Sequence, residues 1–298
     1  MTNEAVSHTR SESTQPLPAG RRHHIVVAGG SATYGETGSG PPLLFLHGWG
    51  LDDRAYGPAL QALATHGVHV IAPALPGFGG TSALGRDQRS FAGYAAWVAE
   101  FLAAIDVDEP VVVVGHSFGG GVAITLAHDH PATTRGLVLV NSVGGSAWRK
   151  RGSVIRAMTE RPLWDWGLHL GRDLLPVRQL TRVLPVIVSE AIPSLLRDPK
   201  AFWRAATIAR AADLTDELEA LRERGLPIVV LWGTGDGVIT EAAADALCEA
   251  SGTDCVIVPG GHSWMITEPT RFGEVMTNVL PVARGRTRRR RWGFGRVA

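Results

Sequence analysis

The chain has 298 residues, of which 45% are hydrophobic and 19% are charged, and these proportions exclude a disordered or fibrous protein. No run approaches the roughly 20 apolar residues of a membrane helix, and the N-terminus has no hydrophobic signal segment, so we expect a cytoplasmic protein. The net charge of +1 conceals an asymmetry, because seven arginines lie between residues 284 and 296 and the rest of the chain is mildly acidic.

Short apolar runs rich in β-branched residues predict seven strands. In chain order they cover residues 25–29, 42–48, 68–75, 110–116, 135–142, 227–233 and 255–260. The runs VVVV and IVVL do not alternate with polar residues, which is typical of strands buried on both faces of a parallel sheet. Helical patterns cover residues 54–65, 90–105, 119–128, 240–250 and 269–282. This alternation predicts an α/β fold with a mostly parallel sheet and helices on both faces.

One long interval, between residues 142 and 227, contains helical patterns and prolines but no convincing strand. We interpret it as a helical cap inserted between two strands of the sheet. We predict a disordered leader at residues 1–22 and a basic tail at residues 284–298. The core is in two parts, residues 23–143 and 225–283, and the cap at residues 144–224 lies between them.

The basic tail has two interpretations, an unstructured solubilising end or a segment that makes weak contact with an anionic surface. Nothing in the chain indicates a folded nucleic-acid-binding module. The two cysteines, Cys248 and Cys255, form no metal-ligand pattern. We therefore expect two free, partly buried thiols, no bound metal and no organic cofactor.

The tripeptide Gly-His-Ser occurs twice, ending at Ser117 and at Ser263. Ser117 follows a predicted buried strand, precedes a predicted helix and lies in the pattern G-x-S-x-G. This setting is the nucleophile elbow, a cramped turn that exposes a serine hydroxyl above a sheet. Ser263 lacks the second glycine and a directly following helix pattern, so Ser117 is the candidate nucleophile.

Two further residues complete a candidate catalytic triad. Asp236 follows the strand at 227–233, and His262 follows the last strand. Taken singly, Asp236 is an ordinary turn residue and His262 an ordinary surface histidine. Because carboxyl ends of parallel strands meet at one edge, Ser117, Asp236 and His262 are expected there together. A neutral imidazole would accept the serine proton, and the carboxylate would orient and stabilise it.

An acyl-transfer site also needs donors for the negative oxygen of the tetrahedral intermediate. We predict the backbone N–H groups of Phe118 in the elbow and of Trp49 in the segment His-Gly-Trp-Gly, which is otherwise simply a glycine-rich turn. We also expect three residues to contact substrate: Gly48 by close backbone approach, His116 from within the elbow, and Trp264 through its proximity to His262.

Five segments, FLHGWG, PGFGGTS, VGHSFGG, LWGTGD and GGHSWMITEP, occur in this order. In them the chain resembles the α/β-hydrolase family over about residues 23–283, in particular its capped serine esterases and carbon–carbon bond hydrolases. The resemblance implies Ser117 as nucleophile, Asp236 as acid, His262 as base, and Trp49 and Phe118 as oxyanion donors.

Three positions refine this resemblance. Ala74 stands where many relatives have an aspartate ahead of the PGFGG loop. Asn141 ends the strand that supplies the acid in some members, which favours Asp236. The serine at 117 argues against epoxide hydrolases and haloalkane dehalogenases, which place an aspartate at the elbow.

The predicted activity is hydrolysis of a carboxylic ester of a small hydrophobic molecule through an acyl-serine. Carbon–carbon bond hydrolysis, lactone hydrolysis, perhydrolysis and acyl transfer use the same triad and remain open, as does a non-catalytic ligand-binding protein of this fold. The cap's tryptophans are either the roof of an apolar pocket or the cap's own core, and its arginines either hold a substrate carboxylate or are solvated. These residues are Trp148, Trp164, Trp166, Trp203, Arg149, Arg151, Arg156 and Arg161.

Overall fold

The computed structural model describes residues 20–145 and 187–286. Eight strands form one sheet in the order β1-β2-β4-β3-β5-β6-β7-β8, in which β1, β2 and β4 pair antiparallel and all other neighbours pair parallel. The predicted fold class is therefore confirmed. The strands are β1 Arg21–Val27, β2 Gly30–Gly38, β3 Pro42–Leu46, β4 His69–Pro73, β5 Val111–His116, β6 Thr134–Val140, β7 Ile228–Gly233 and β8 Cys255–Val258.

The long helices of the core follow the predicted pattern, and short helical turns are added to them. A 3-10 turn at Asp53–Tyr56 runs into the first helix, and a short helix precedes the last one. The core helices are α1 Gly57–Ala64, α2 Phe91–Ala104, α3 Phe118–Asp129, α7 Glu241–Ser251, α8 Trp264–Thr267 and α9 Pro269–Ala283. Side-chain caps begin two of them, since Ser90 accepts from the N–H of Gly93 and Thr240 from that of Ala243.

Strand β2 is not among the predicted strands, because its residues GSATYGETG contain few apolar side chains. The strand is held by pairing on both sides, with β1 and β4. It forms a hairpin with β1, which begins at Arg21, within the segment expected to be leader. Residues 1–19 of that leader lie outside the described residues.

Apolar side chains cover both faces of the sheet in two clusters. One cluster contains Phe101 and Leu102 of α2 and the inward side chains of α3. The other contains Leu60 and Leu63 of α1 and Phe272 of α9. The β5 strand is fully buried between them, which is why its sequence is an unbroken apolar run.

The predicted cap is described over residues 144–145 and 187–224, and most of the second stretch is helical. This stretch comprises a π turn at Ile187–Ala191 followed by helices α4 Ile192–Arg197, α5 Pro199–Arg210 and α6 Thr215–Glu223. The other cap residues singled out above lie outside the described residues, apart from Trp203. Most of the arginine-rich tail lies outside them too.

The prediction of two free thiols is wrong. Cys248 near the end of α7 and Cys255 at the start of β8 form a disulfide, with their Cα atoms 5.8 Å apart. The chain reverses between the helix and the strand, which brings the two side chains together. Disulfides are rare in cytosolic proteins, so this bond weighs against the cytoplasmic location, which remains a prediction.

Among the described residues, no helix is both long and apolar enough to cross a membrane. Within the same residues, no group of three or more histidine, cysteine, aspartate or glutamate side chains is arranged to hold a metal ion.

Candidate active site

Ser117 lies between β5 and α3 with backbone angles φ 51° and ψ −116°, which a residue with a side chain rarely adopts. Such a conformation costs on the order of 1–3 kcal/mol and persists only where its surroundings enforce it. Here the N–H of Ser117 donates to the carbonyl of Val140, and its own carbonyl accepts from the N–H groups of Gly120 and Val143. The end of β6 therefore holds the serine in its strained turn.

Two glycines make this turn sterically feasible. A Cβ on Gly115 would lie 2.6 Å from the carbonyl oxygen of Gly119, and one on Gly119 would lie 2.3 Å from that of Leu46. The elbow thus packs directly against the end of β3. This contact brings the segment containing Trp49 beside Phe118, the residue that follows Ser117.

The structure brings Ser117, His262 and Asp236 together at the carboxyl edge of the sheet. Oγ of Ser117 lies 2.9 Å from Nε2 of His262, and Nδ1 of His262 lies 3.0 Å from Oδ2 of Asp236. All three residues are buried. A carboxylate only accepts hydrogen bonds, so His262 carries its proton on Nδ1 and leaves Nε2 free to accept from the serine hydroxyl.

Four donors surround the carboxylate of Asp236. Oδ1 accepts from the N–H groups of Val238 and Ile239, at 2.7 and 2.8 Å, and Oδ2 accepts from Asn141 at 2.5 Å as well as from His262. Burial by itself raises the pKa of Asp236, but the charge interaction with His262 and these hydrogen bonds lower it below its ordinary value. Asp236 is therefore an anion at neutral pH.

Trp264 does not occupy the position expected of it. Its side chain is fully buried, its indole N–H donates to Oδ1 of Asn141 at 2.9 Å, and its ring packs against Phe272. The predicted substrate contact is corrected to a supporting one, in which Trp264 holds Asn141 and Asn141 holds Asp236. The loop turns the indole under the sheet edge, a direction that proximity to His262 in sequence does not reveal.

His116 and Gly48 were also expected to contact substrate. Both are instead buried and hydrogen-bonded to Tyr56. Tyr56 accepts from the N–H of Gly48 at 3.0 Å and donates its hydroxyl proton to Nδ1 of His116 at 2.8 Å. His116 then donates from Nε2 to the carbonyl of His262 at 2.9 Å. Burial, together with the nearby His262, lowers the pKa of His116 to about 3, so its ring is neutral. A Cβ on Gly48 would lie 2.9 Å from His116 Nδ1, which corrects both predicted roles to internal packing.

The two predicted oxyanion donors flank the elbow. Within the described residues, neither the backbone N–H of Trp49 nor that of Phe118 forms a hydrogen bond. The loop before Trp49 is held by His47, which accepts from the N–H of Leu75 and donates to the carbonyl of Gly48, both at 2.8 Å. Burial lowers the pKa of His47 to about 4, which keeps it neutral for this double role.

The cap closes over this loop through aromatic side chains. The Trp49 ring lies 4.5 Å from that of Phe202 in α5, and its indole N–H donates to the Phe202 carbonyl at 2.8 Å. Phe78 of the PGFGG loop also packs against Phe202, with 6.2 Å between the ring centroids. The region above the loop is consequently apolar.

The sequence does not reveal the roles of Tyr56 and His47, or the contact of Asn141 with Asp236. Tyr56 belongs to no motif and reaches the site only because its 3-10 turn packs beneath β3. His47 stands in the predicted segment His-Gly-Trp-Gly, so its position was visible although its role was not. Asn141 was noted only as a residue that cannot serve as the acid.

Comparison with known proteins gives a consistent result. The family model described as "Alpha/beta hydrolase family" matches residues 43–275. An uncharacterized protein of Mycobacterium tuberculosis H37Rv is 30% identical over 274 residues, 82% of this chain and 76% of that protein. A pimeloyl-[acyl-carrier protein] methyl ester esterase of Aromatoleum aromaticum is 30% identical over 267 residues, 80% of this chain and 98% of that protein. The crystal structure of the esterase RhEst1 from Rhodococcus sp. ECU1013 is 28% identical, with a TM-score of 0.66, covering 89% of this chain and 99% of that one.

Proposed function

Because the chain belongs to the alpha/beta hydrolase family, we propose that it is a serine hydrolase that cleaves a carboxylic ester of a small hydrophobic molecule through an acyl-serine intermediate. The observation that carries this proposal is the continuous hydrogen-bonded chain from Ser117 through His262 to Asp236. Esterases among the relatives support a hydrolase activity.

In the first half of the reaction, His262 Nε2 accepts the hydroxyl proton while Ser117 Oγ attacks the ester carbonyl carbon. The oxygen of the tetrahedral intermediate takes the negative charge, and the N–H groups of Trp49 and Phe118 donate to it. Each such donor contributes about 3 kcal/mol to transition-state stabilisation. When the intermediate collapses, His262 gives its proton to the departing alkoxide and the acyl group stays on Ser117.

In the second half, water takes the place of the alcohol. His262 removes a proton from it as the water oxygen attacks the acyl carbon, and returns that proton to Ser117 Oγ as the carboxylic acid departs. Ionised Asp236 stabilises the imidazolium in both halves, and the neutral ring of His116 holds the backbone of His262 throughout.

The proposed preference for a hydrophobic substrate is supported by the aromatic side chains beside the oxyanion loop. Trp49, Phe78 and Phe202 form a connected apolar group at the point where the cap meets the core. An acyl or alkyl group bound above Ser117 would lie against these rings and lose its hydration shell there.

The test is the burst of p-nitrophenol released when a p-nitrophenyl ester acylates the enzyme. We expect a burst from the wild type and from Ser263→Ala, which removes the serine of the other Gly-His-Ser. Ser117→Ala should show no burst and a turnover lower by on the order of a million-fold. A burst that persists in Ser117→Ala would place the nucleophile elsewhere. A folded wild type that gives neither burst nor turnover would favour the non-catalytic alternative.

A further inference from the structure

The cap exposes a stripe of apolar side chains. Val188 in the π turn, with Ile192 and Leu196 in α4, follow at intervals of four residues and therefore share one side of this helical segment. Their exposed fractions are 51%, 44% and 75%, and Trp203 in α5 is 48% exposed. A helix face turned to water normally carries polar side chains, so this stripe calls for something to cover it.

Basic residues border the stripe. Arg197, Lys200 and Arg204 are exposed, and two of them directly follow Leu196 and Trp203 in sequence. None of these three forms an ion pair with another described residue. The acidic residue beside them, Asp198, accepts from Arg89 at 3.2 Å and from the N–H of Ala201 at 2.9 Å. The only other acidic residue between 187 and 204 is Glu190, toward the far end of the segment.

We propose that this docking face, formed by Val188, Ile192, Leu196 and Trp203 with Arg197, Lys200 and Arg204, binds the surface of an anionic phospholipid bilayer. Aliphatic side chains that enter the acyl region, a tryptophan at the headgroup level and flanking lysine or arginine are the elements of an interfacial helix. The basic residues would meet lipid phosphates while the stripe leaves water.

The positive charge of the docking face favours binding of an anionic bilayer over binding of a second copy of the chain. Two copies joined through the same face would bring their Arg197, Lys200 and Arg204 groups toward each other, and like charges across an interface oppose association. An anionic lipid surface complements both properties of the face at once, its positive charge and its exposed aliphatic groups.

The position of the docking face connects it with the candidate active site. Helix α5 turns Trp203 outward and buries Phe202, and the Trp49 ring lies within 5.8 Å of the Trp203 ring. A bilayer bound at this face would therefore lie one helix away from the oxyanion loop. The proposal itself concerns binding and does not depend on the proposed hydrolase activity.

The experiment is co-sedimentation of the full chain with vesicles of phosphatidylcholine alone and of phosphatidylcholine with phosphatidylglycerol. We expect salt-sensitive binding to the anionic vesicles only. Leu196→Ala with Trp203→Ala, and separately Lys200→Glu with Arg204→Glu, should each weaken it by roughly tenfold or more. The matched control is Ile257→Ala on β8, also 51% exposed but away from the cap, which should bind like the wild type.

A variant shortened to end at Arg286 distinguishes vesicle binding by this face from binding by the arginine-rich tail. The proposal requires that the shortened chain still binds anionic vesicles and that the Leu196→Ala, Trp203→Ala pair still weakens it. Failure of the wild type to bind, or binding that depends on the tail alone, would overturn it. Concentration-dependent dimerisation lost in the same variants, without vesicle binding, would instead assign the face to self-association.

Discussion

The two Gly-His-Ser segments, at 115–117 and 261–263, meet at one edge of the sheet, but each presents a different residue to the candidate active site. In the first, the serine faces the site and the histidine is buried; in the second, the histidine faces the site. The backbone decides this, because φ is 51° at Ser117 but −103° at Ser263. The two histidines also carry their protons on different nitrogens, Nε2 in His116 and Nδ1 in His262. The same tripeptide thus has different chemical roles in the two places because its backbone conformation and hydrogen-bond partners differ.

The largest expected effect tests the histidines against each other. His262→Ala removes the proposed general base, and we expect kcat to fall by on the order of a million-fold with little change in stability. His116→Ala leaves the hydroxyl of Tyr56 and the carbonyl of His262 without their buried partner. It should lower the free energy of unfolding by about 3 kcal/mol and kcat by only about tenfold. Steady-state kinetics and urea unfolding measure both, and equal losses of kcat would refute the division of roles.

The next effect concerns the carboxylate behind His262. Asp236→Asn would present an amide that can donate toward Nδ1 and so favour the wrong tautomer, and we expect kcat to fall by about ten-thousand-fold at neutral pH. Asp245→Asn, a change at an exposed carboxylate on α7, is the matched control and should leave kcat unaltered. A small loss in Asp236→Asn would mean that another group orients His262.

A smaller effect should appear in the pH dependence of stability. The folded-state pKa is lowered to about 4 for His47 and about 3 for His116, below the unfolded value of about 6.5. Below pH 6.5 the unfolded chain therefore binds protons at these histidines that the folded chain does not bind. Each histidine lowers the free energy of unfolding by up to about 1.4 kcal/mol per pH unit. Burial and the adjacent Asp52 raise the pKa of Asp53 to about 6. Between pH 6 and 4 the folded chain therefore takes up a proton at Asp53 before the unfolded chain does, which offsets the stability lost through one histidine.

Urea unfolding at pH 7, 6, 5 and 4 measures the net effect of all titrating groups, including these three. We expect the free energy of unfolding to decrease as the pH falls below 6.5, and the decrease to be smaller in His116→Ala. A wild type equally stable at pH 7 and pH 4 would contradict the assignment of two buried neutral histidines.

The smallest effect distinguishes the segments by how they are anchored. The second copy follows β8, which the disulfide ties to α7, whereas the first is held by hydrogen bonds and packing without a covalent link. Cys248→Ser with Cys255→Ser opens this short loop and should lower the free energy of unfolding by about 2.5 kcal/mol while kcat stays the same. The wild type should lose the same stability in reductant. Stability that does not respond to reductant would show that the thiols are free.

The sequence was most informative where burial imposes a simple pattern. Strands such as β5 are apolar on both faces, so they could be predicted, and the motifs after them meet because parallel strands end at one edge. Strand β2 could not be predicted, because its residues are mostly small or polar and its existence depends on pairing with two neighbours. Tyr56 could not be identified either, since its contact with His116 joins residues far apart in sequence.

Direction was harder to predict than position. His116 and Trp264 lie next to the reactive residues in sequence, yet both side chains turn into the protein, where the backbone of the elbow and of α8 directs them. Cys248 and Cys255 illustrate the same limit, because only the path of the chain between α7 and β8 shows that the two sulfur atoms meet.

The site of covalent modification by a fluorophosphonate, located by peptide mapping of the labelled protein, identifies the nucleophile directly. We expect one adduct, on Ser117, absent from Ser117→Ala and His262→Ala and retained in Ser263→Ala. An adduct on Ser263, or undiminished labelling of Ser117→Ala, would contradict the assignment of nucleophile and base to the two Gly-His-Ser segments.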